Sequence, residues 1–262
     1  MRTRLDAELV RRGLARSRDH AIDLIESSSV IVSGIPASKA ATQVDPETSI
    51  TIADSREDYV SRGGHKLAGA LDAFPSLKIE GRVALDAGAS TGGFTDVLLK
   101  RGASKVIAVD VGYGQLAWPL QQDPRVEIHD RTNVRLLSPD LISQPPSVIV
   151  ADLSFISLNL VIPALTSVAA RDADFLLMVK PQFEVGRENL GAGGVVRDLK
   201  LRKSAVVNVA DAAVKSGLEM VDVVASPLPG PSGNVEYFLW LKFGGGKTDE
   251  NAIDRAIAEG PQ

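Results

Sequence analysis

Apolar side chains recur at helical spacing near the start of the chain, at Leu5, Leu9, Val10 and Leu14 and again at Ala21, Ile22, Leu24 and Ile25. A stripe of this period is what one face of a helix buries, so residues 4–28 predict two short helices. Ser17, just ahead of the second run, is placed to cap it. The period then changes: Val30-Ile31-Val32-Ser33-Gly34 and Ser49-Ile50-Thr51-Ile52 alternate like short strands, with Gly34, Pro36 and Pro46 at the turns. Together they predict a small α+β module over residues 1–54.

Asp54-Ser55-Arg56-Glu57-Asp58 interrupts this pattern with charge, and residues 55–60 read as a linker. Beyond it, apolar runs at 83–87, 106–111, 126–129, 148–152, 175–179, 220–225 and 235–243 alternate with helix-like stretches. Strands separated by helices need crossover connections, which predicts an α/β, Rossmann-like and mostly parallel sheet over residues 61–244. Gly244-Gly245-Gly246 opens a mostly polar stretch, so residues 245–262 read as a mobile tail.

Charge and composition narrow the chemistry. Net charge is -4, so contact with a polyanion needs a local basic patch, and the first 20 residues supply Arg2, Arg4, Arg11, Arg12, Arg16 and Arg18. The absence of cysteine excludes disulfides, thiolate metal sites, iron–sulfur clusters and cysteine nucleophiles. His20, His65 and His129 are too scattered for a metal site, so no metal is expected. No run of about 18 charge-free apolar residues is present and the N-terminus has no apolar leader core, so the expectation is a cytoplasmic protein without membrane contact. The sequence leaves oligomeric state unknown.

The first strand of the sheet runs into Asp86-Ala87-Gly88-Ala89-Ser90-Thr91-Gly92-Gly93-Phe94-Thr95-Asp96 and then the helix-like Val97-Leu98-Leu99. Glycines at a strand-to-helix turn let a ligand approach the backbone, and the helix N-terminus offers N–H groups to its anionic part, a phosphate or an amino-acid carboxylate. The next strand ends at Asp110, at the spacing where an acidic side chain accepts from ribose hydroxyls. The expected cofactor residues are Asp86, Gly88, Ser90, Thr91, Gly92, Gly93, Phe94, Asp110, Val111, Asn133 and Asp152. Neither Gly-x-x-x-x-Gly-Lys-Ser/Thr nor Gly-x-Gly-x-x-Gly is present, which argues against a P-loop triphosphatase and a nicotinamide enzyme.

Ligands of open α/β sheets sit beyond the carboxyl ends of the parallel strands. Asp152 closes the fourth strand candidate and Lys180 follows the fifth. Glu236 opens the last, and an antiparallel last strand would bring it to the same edge. Lys66, in Ser61-Arg62-Gly63-Gly64-His65-Lys66-Leu67, can join them from just ahead of the first strand. Two lysines between two carboxylates suit methylation of a ribose hydroxyl, whose proton a partly desolvated lysine can take. In this reading Lys180 is the base, Asp152 positions it, and Lys66 with Glu236 holds the ribose.

These motifs, with Asp110-Val111-Gly112-Tyr113-Gly114-Gln115-Leu116, Lys180-Pro181-Gln182-Phe183-Glu184, Gly194-Val195-Val196-Arg197-Asp198 and Gly233-Asn234-Val235-Glu236, resemble the TlyA family of rRNA methyltransferases. Members of that family also carry a haemolysin label, and their catalytic part is FtsJ-like. The resemblance spans residues 5–243. It implies S-adenosylmethionine as donor, cytidine riboses of 16S and 23S rRNA as acceptors, ribosomal subunits as partners, and a Lys-Asp-Lys-Glu tetrad falling on Lys66, Asp152, Lys180 and Glu236. It also implies a methyltransferase sheet whose last strand is antiparallel.

The N-terminal module resembles an S4 RNA-binding domain through Arg4-Leu5-Asp6, Gly13-Leu14-Ala15-Arg16-Ser17-Arg18 and Val30-Ile31-Val32-Ser33-Gly34, departing from it at Ser27-Ser28-Ser29, where a glycine is usual. Arg2, Arg4, Arg16 and Arg18 are its expected phosphate contacts.

Three other readings stay open at this point. Phe155, in Asp152-Leu153-Ser154-Phe155, is similar to the aromatic residue that stacks on a flipped base in enzymes methylating exocyclic amines, which would use Asp152 with Phe155 and no lysine base. The haemolysin label would make the chain a membrane-damaging protein, and a catalytically silent RNA-binding adaptor is the third. Residues 182–195 are polar and glycine-rich, as a lid or a surface loop would be.

Overall fold

The computed structural model describes residues 2–26, 29–52 and 59–260, so Ser27, Ser28 and the charged break at 54–58 lie outside it. The chain divides into two compact units, Met1–Asp58 and Tyr59–Gln262.

In the first unit, strand β1 (Thr3–Arg4) leads into helices α1 (Leu5–Arg11) and α2 (Arg18–Glu26). Ser17 Oγ accepts the His20 N–H at 3.1 Å, as its position ahead of the apolar run predicts. Strand β2 (Val30–Val32) pairs antiparallel with β3 (Ile35–Pro36) and with β5 (Ile50–Ile52), while β1 pairs with β4 (Gln43–Val44). Leu5, Leu9, Ala21, Ile25 and Val30 form the centre of its core.

The second unit runs through α3 (Arg62–Ala73), β6 (Val83–Ala87), α4 (Gly93–Lys100), β7 (Lys105–Val109), α5 (Trp118–Gln121), β8 (Val126–His129) and β9 (Val148–Ala151). It continues through α6 (Ile162–Val168), β10 (Asp174–Val179), α7 (Pro181–Glu184), α8 (Leu199–Lys215), β11 (Leu218–Ala225), β12 (Tyr237–Phe243) and α9 (Glu250–Glu259). The strands form one seven-stranded sheet in the order β11-β12-β10-β9-β6-β7-β8, parallel except for β12, which is antiparallel to both β10 and β11. This is the α/β methyltransferase architecture expected from the sequence. Every residue of β9 and β10 is buried, the mark of strands covered on both faces. Successive residues alternate sides: Leu85, Ile149 and Leu177 face the layer of α6, α8 and α9, and Ala84, Val148 and Leu176 face α3 and α4.

Two expectations need correction. Tyr59 and Val60 belong to this unit and not to a linker, since Tyr59 is buried and the Val60 N–H donates to Asp96 Oδ2 at 3.0 Å. The stretch after Gly244 is not a loose tail either: Asp249 accepts the N–H groups of Asn251 and Ala252, and α9 buries Ala252, Ile253, Ala256 and Ile257 in the core beside α8. The spacing of those four side chains buries a helical face, which outweighs the glycine run ahead of it.

The topology also sets where a ligand can bind. The chain works outward from β6 through β7 to β8 and then returns to β9 on the other side of β6. At such a reversal the flanking connections diverge and open a crevice at the carboxyl edge. The Asp152 N–H donates to the Ala87 carbonyl at 3.0 Å, so the ends of β6 and β9 stay level at that edge.

Candidate active site

A cleft of about 300 Å³ opens where β6, β9 and β10 end. Gly88, Ser90, Thr91, Gly93, Phe94, Asp152, Lys66 and Lys180 line it, together with Ser61, Arg62, Ser154 and Pro229.

Two glycines of the turn are fixed by geometry. Gly88 has φ +89°, and a Cβ there would overlap the Asp152 carbonyl oxygen. Gly93 brings the start of α4 against the start of α3, where a Cβ would overlap Ser61 Oγ. Gly92 gives α4 no side-chain cap, so the first N–H groups of that helix can receive an anionic group. Asp110 accepts the Ser90 N–H at 2.8 Å and the Gly112 N–H at 2.7 Å, which couples the end of β7 to the glycine turn.

Asp110, Val111 and Asn133 do not line the cleft. Val111 is 69% exposed, and Asn133 accepts the Arg135 N–H at 3.0 Å as the cap of a short turn. The Thr132 N–H donates to the Asp110 carbonyl, so this group forms a shelf beside the glycine turn. Asp86 lies beneath it, wholly buried, with Oδ2 accepting from Thr95 Oγ at 2.7 Å. An elongated zwitterion with a carboxylate at one end and a ribose at the other fits this set: an uncapped helix start, a glycine cradle and an acid at the next strand end.

The four ionisable residues form two short pairs. Lys180 Nζ lies 2.6 Å from Asp152 Oδ1 and donates to Ser154 Oγ at 3.0 Å. Lys66 Nζ lies 2.6 Å from Glu236 Oε2. Glu236 comes to this edge because β12 is antiparallel: Tyr237 pairs with Val179, which sets Glu236 beside Lys180 in register. Its carboxylate is fully buried and does not line the cleft, and it meets the cleft only through its pairing with Lys66. Both lysines are nine-tenths buried, and the pairing with carboxylates compensates that desolvation.

Sequence reasoning missed Ser154, which lies two residues beyond Asp152 in a tetrapeptide read only for its aromatic ring. Phe155 itself is 91% exposed and adopts φ +64°. Its ring meets Phe183 at 5.1 Å between centroids. Among residues expected in the first unit's phosphate contacts, Arg4 and Arg18 both pair with the buried Asp6, at 2.9 and 3.0 Å, and Arg2 pairs with Asp45 at 3.2 Å. Arg16 is exposed, and no ion pair engages it among the described residues. Glu8 takes Arg11 and Arg12 at 2.6 and 2.7 Å, which withdraws part of the local positive charge.

Residues 59–243 match the family model of FtsJ-like methyltransferases, and residues 3–50 match that of the S4 domain. The chain is 57% identical to the 16S/23S rRNA (cytidine-2′-O)-methyltransferase TlyA of Mycobacterium tuberculosis, with 99% of each chain covered. It is 37% identical to Hemolysin A of Brachyspira hyodysenteriae, covering 89% of this chain and 97% of that one. A solved structure from Streptococcus thermophilus that bears a hemolysin name superposes with a TM-score of 0.77 at 36% identity, covering 98% of this chain and 95% of the other. Among the described residues no helix is long and apolar enough to cross a membrane.

Proposed function

Because this chain belongs to the TlyA family of FtsJ-like methyltransferases, with an S4 domain ahead of the catalytic unit, we propose that it methylates the 2′-hydroxyl of cytidine in ribosomal RNA with Lys180 as general base. The observation that carries this is the position of Lys180 Nζ, 2.6 Å from Asp152 and 3.0 Å from Ser154 on the wall of a cleft that begins at the glycine turn.

S-adenosylmethionine, when bound, supplies a methyl group on a sulfonium and leaves as a neutral thioether. The uncapped start of α4 would hold its carboxylate, the glycine turn would cradle its chain, and Asp110, on the shelf beside that turn, would accept from its ribose hydroxyls. Lys180 is the group that would accept the acceptor's 2′-hydroxyl proton, while the bound donor would supply its methyl group to that oxygen and keep the carbon–sulfur electron pair on sulfur. Asp152 and Ser154 aim Nζ and stabilise the ammonium it becomes. Lys66, steadied by Glu236, donates to the acceptor ribose. Alignment of oxygen and methyl group supplies much of the acceleration. In the first unit Arg2, Arg4, Arg16 and Arg18 hold RNA phosphates without reading bases.

One observation favours a second reading. Phe155 holds an exposed ring at φ +64° directly after Ser154 of the cleft wall, an arrangement on which an extruded base can stack. An exocyclic-amine methyltransferase would use that ring with Asp152 and would need no lysine. The paired Lys180 supports the ribose hydroxyl instead, and in that reaction the ring steadies the acceptor's base. Replacing Lys180 by alanine separates the two readings. The expected outcome is a kcat lower by about 10²–10⁴-fold, the usual contribution of general acid–base catalysis, with the affinity for S-adenosylmethionine nearly intact. Full turnover by that variant would remove Lys180 from the chemistry.

A further inference from the structure

Two segments leave the sheet side by side at the active edge, residues 152–158 after β9 and residues 180–184 after β10. One tie between them is Lys180 with Asp152 and Ser154. A second tie lies at their far ends: Glu184 Oε2 accepts from Ser157 Oγ at 2.6 Å, and Oε1 accepts the Leu158 N–H at 2.9 Å. Between the ties, the rings of Phe155 and Phe183 meet.

Burial pushes the Glu184 carboxyl up, and the bonds from Ser157 and Leu158 oppose that push, with no cation among the causes. The side chain therefore serves as a double hydrogen-bond acceptor and not as an ion-pair partner. The turn it grips is strained, because Phe155 stands at φ +64°. A side chain held in the left-handed region persists only where its surroundings over-determine it. Glu184 fixes the two residues that close this turn, and the turn carries Ser154, which accepts from Lys180. On the opposite strap Glu184 lies four positions after Lys180, and α7 joins them in one rigid turn, with the Phe183 N–H donating to the Lys180 carbonyl at 2.9 Å.

We propose that Glu184 is a positioning residue for methyl transfer, bracing the turn at 152–158 so that Asp152 and Ser154 hold the Lys180 amine in its reactive orientation. This rests on Lys180 being the base. Glu184, Ser157 and Leu158 do not line the cleft, so the effect of the brace should appear in kcat rather than in donor binding.

The test compares full-length Glu184→Ala, Glu184→Gln, Ser157→Ala and Lys180→Ala for methyl transfer to ribosomal subunits, with S-adenosylmethionine affinity and Leu158 amide exchange measured on each. Glu184→Ala should lower kcat by about 10–100-fold, the scale of a small misplacement of catalytic groups, leave donor affinity unchanged and speed exchange at Leu158. Glu184→Gln should stay within a few-fold of the parent, since its oxygen can still accept from Leu158 while its nitrogen donates to Ser157. Ser157→Ala, which removes one tie and keeps the carboxylate, should fall between them and remains informative if Glu184→Ala does not fold. An inactive Lys180→Ala beside fully active Glu184→Ala or Ser157→Ala overturns the brace alone, as does Glu184→Gln as slow as Glu184→Ala. An active Lys180→Ala overturns the base assignment and the brace with it.

Discussion

Asp86 and Asp6 illustrate how single carboxyls carry opposite pH signatures in the two units. Burial pushes the Asp86 carboxyl up to about 7 from its ordinary 3.8; the Asp152 and Asp110 carboxylates add to the push and Thr95 opposes it. Between about pH 4 and 7 the folded chain thus holds a proton that the unfolded chain has released, so stability from this group is full below about 4 and is lost as pH rises through about 7. Asp86→Asn should flatten the fall in stability over that window, read from urea midpoints against pH, and an unchanged slope would contradict the assignment. Asp6 behaves in the reverse sense: the bond from Arg4 leads in holding it down to about 2, so its contribution is full above about 4 and is lost as pH falls through about 2. At this scale Asp152, Lys180 and Glu236 were legible in the sequence because strand ends of an open sheet share one edge. Ser154 and Glu184 were not, because their roles arise from contacts between segments 26 or 27 residues apart.

The elements separate by how much local signal they carry. The core strands announced themselves as apolar runs and came out within two or three residues of their expected ends. Strands β1, β3 and β4 escaped because two residues are too few to show alternation. Helix α9 was hidden by Gly244-Gly245-Gly246, read as a flexible tract. In the fold Gly246 instead serves close packing, since a Cβ there would come within 2.8 Å of Glu219 Cβ. Ile253 is fully buried in the layer shared with α8. Ile253→Ala should cost about 2–5 kcal/mol, the range for emptying a buried aliphatic site, and urea unfolding would show it. A variant as stable as the parent would restore the view of this stretch as a dispensable tail.

For the whole molecule, a net charge of -4 leaves RNA attraction to local patches. In the first unit Asp6 and Glu8 each neutralise part of an arginine cluster, whereas Arg16 stays exposed. Charge reversal at Arg16 and Arg18 together should weaken binding to ribosomal RNA and flatten its salt dependence, and an unaltered slope would take both out of the interface. The division into an S4 unit and a methyltransferase unit was readable from the change of hydrophobic period and from whole motifs, while the identity of the acceptor atom rests on the pairing at the cleft. The most direct measurement is therefore chemical identification of the methylated nucleoside after the protein acts on isolated ribosomal subunits with labelled S-adenosylmethionine. The account predicts the label on the 2′-oxygen of cytidine, and its disappearance with Lys180→Ala. Label on a base nitrogen or carbon, or undiminished 2′-O label from that variant, would contradict it.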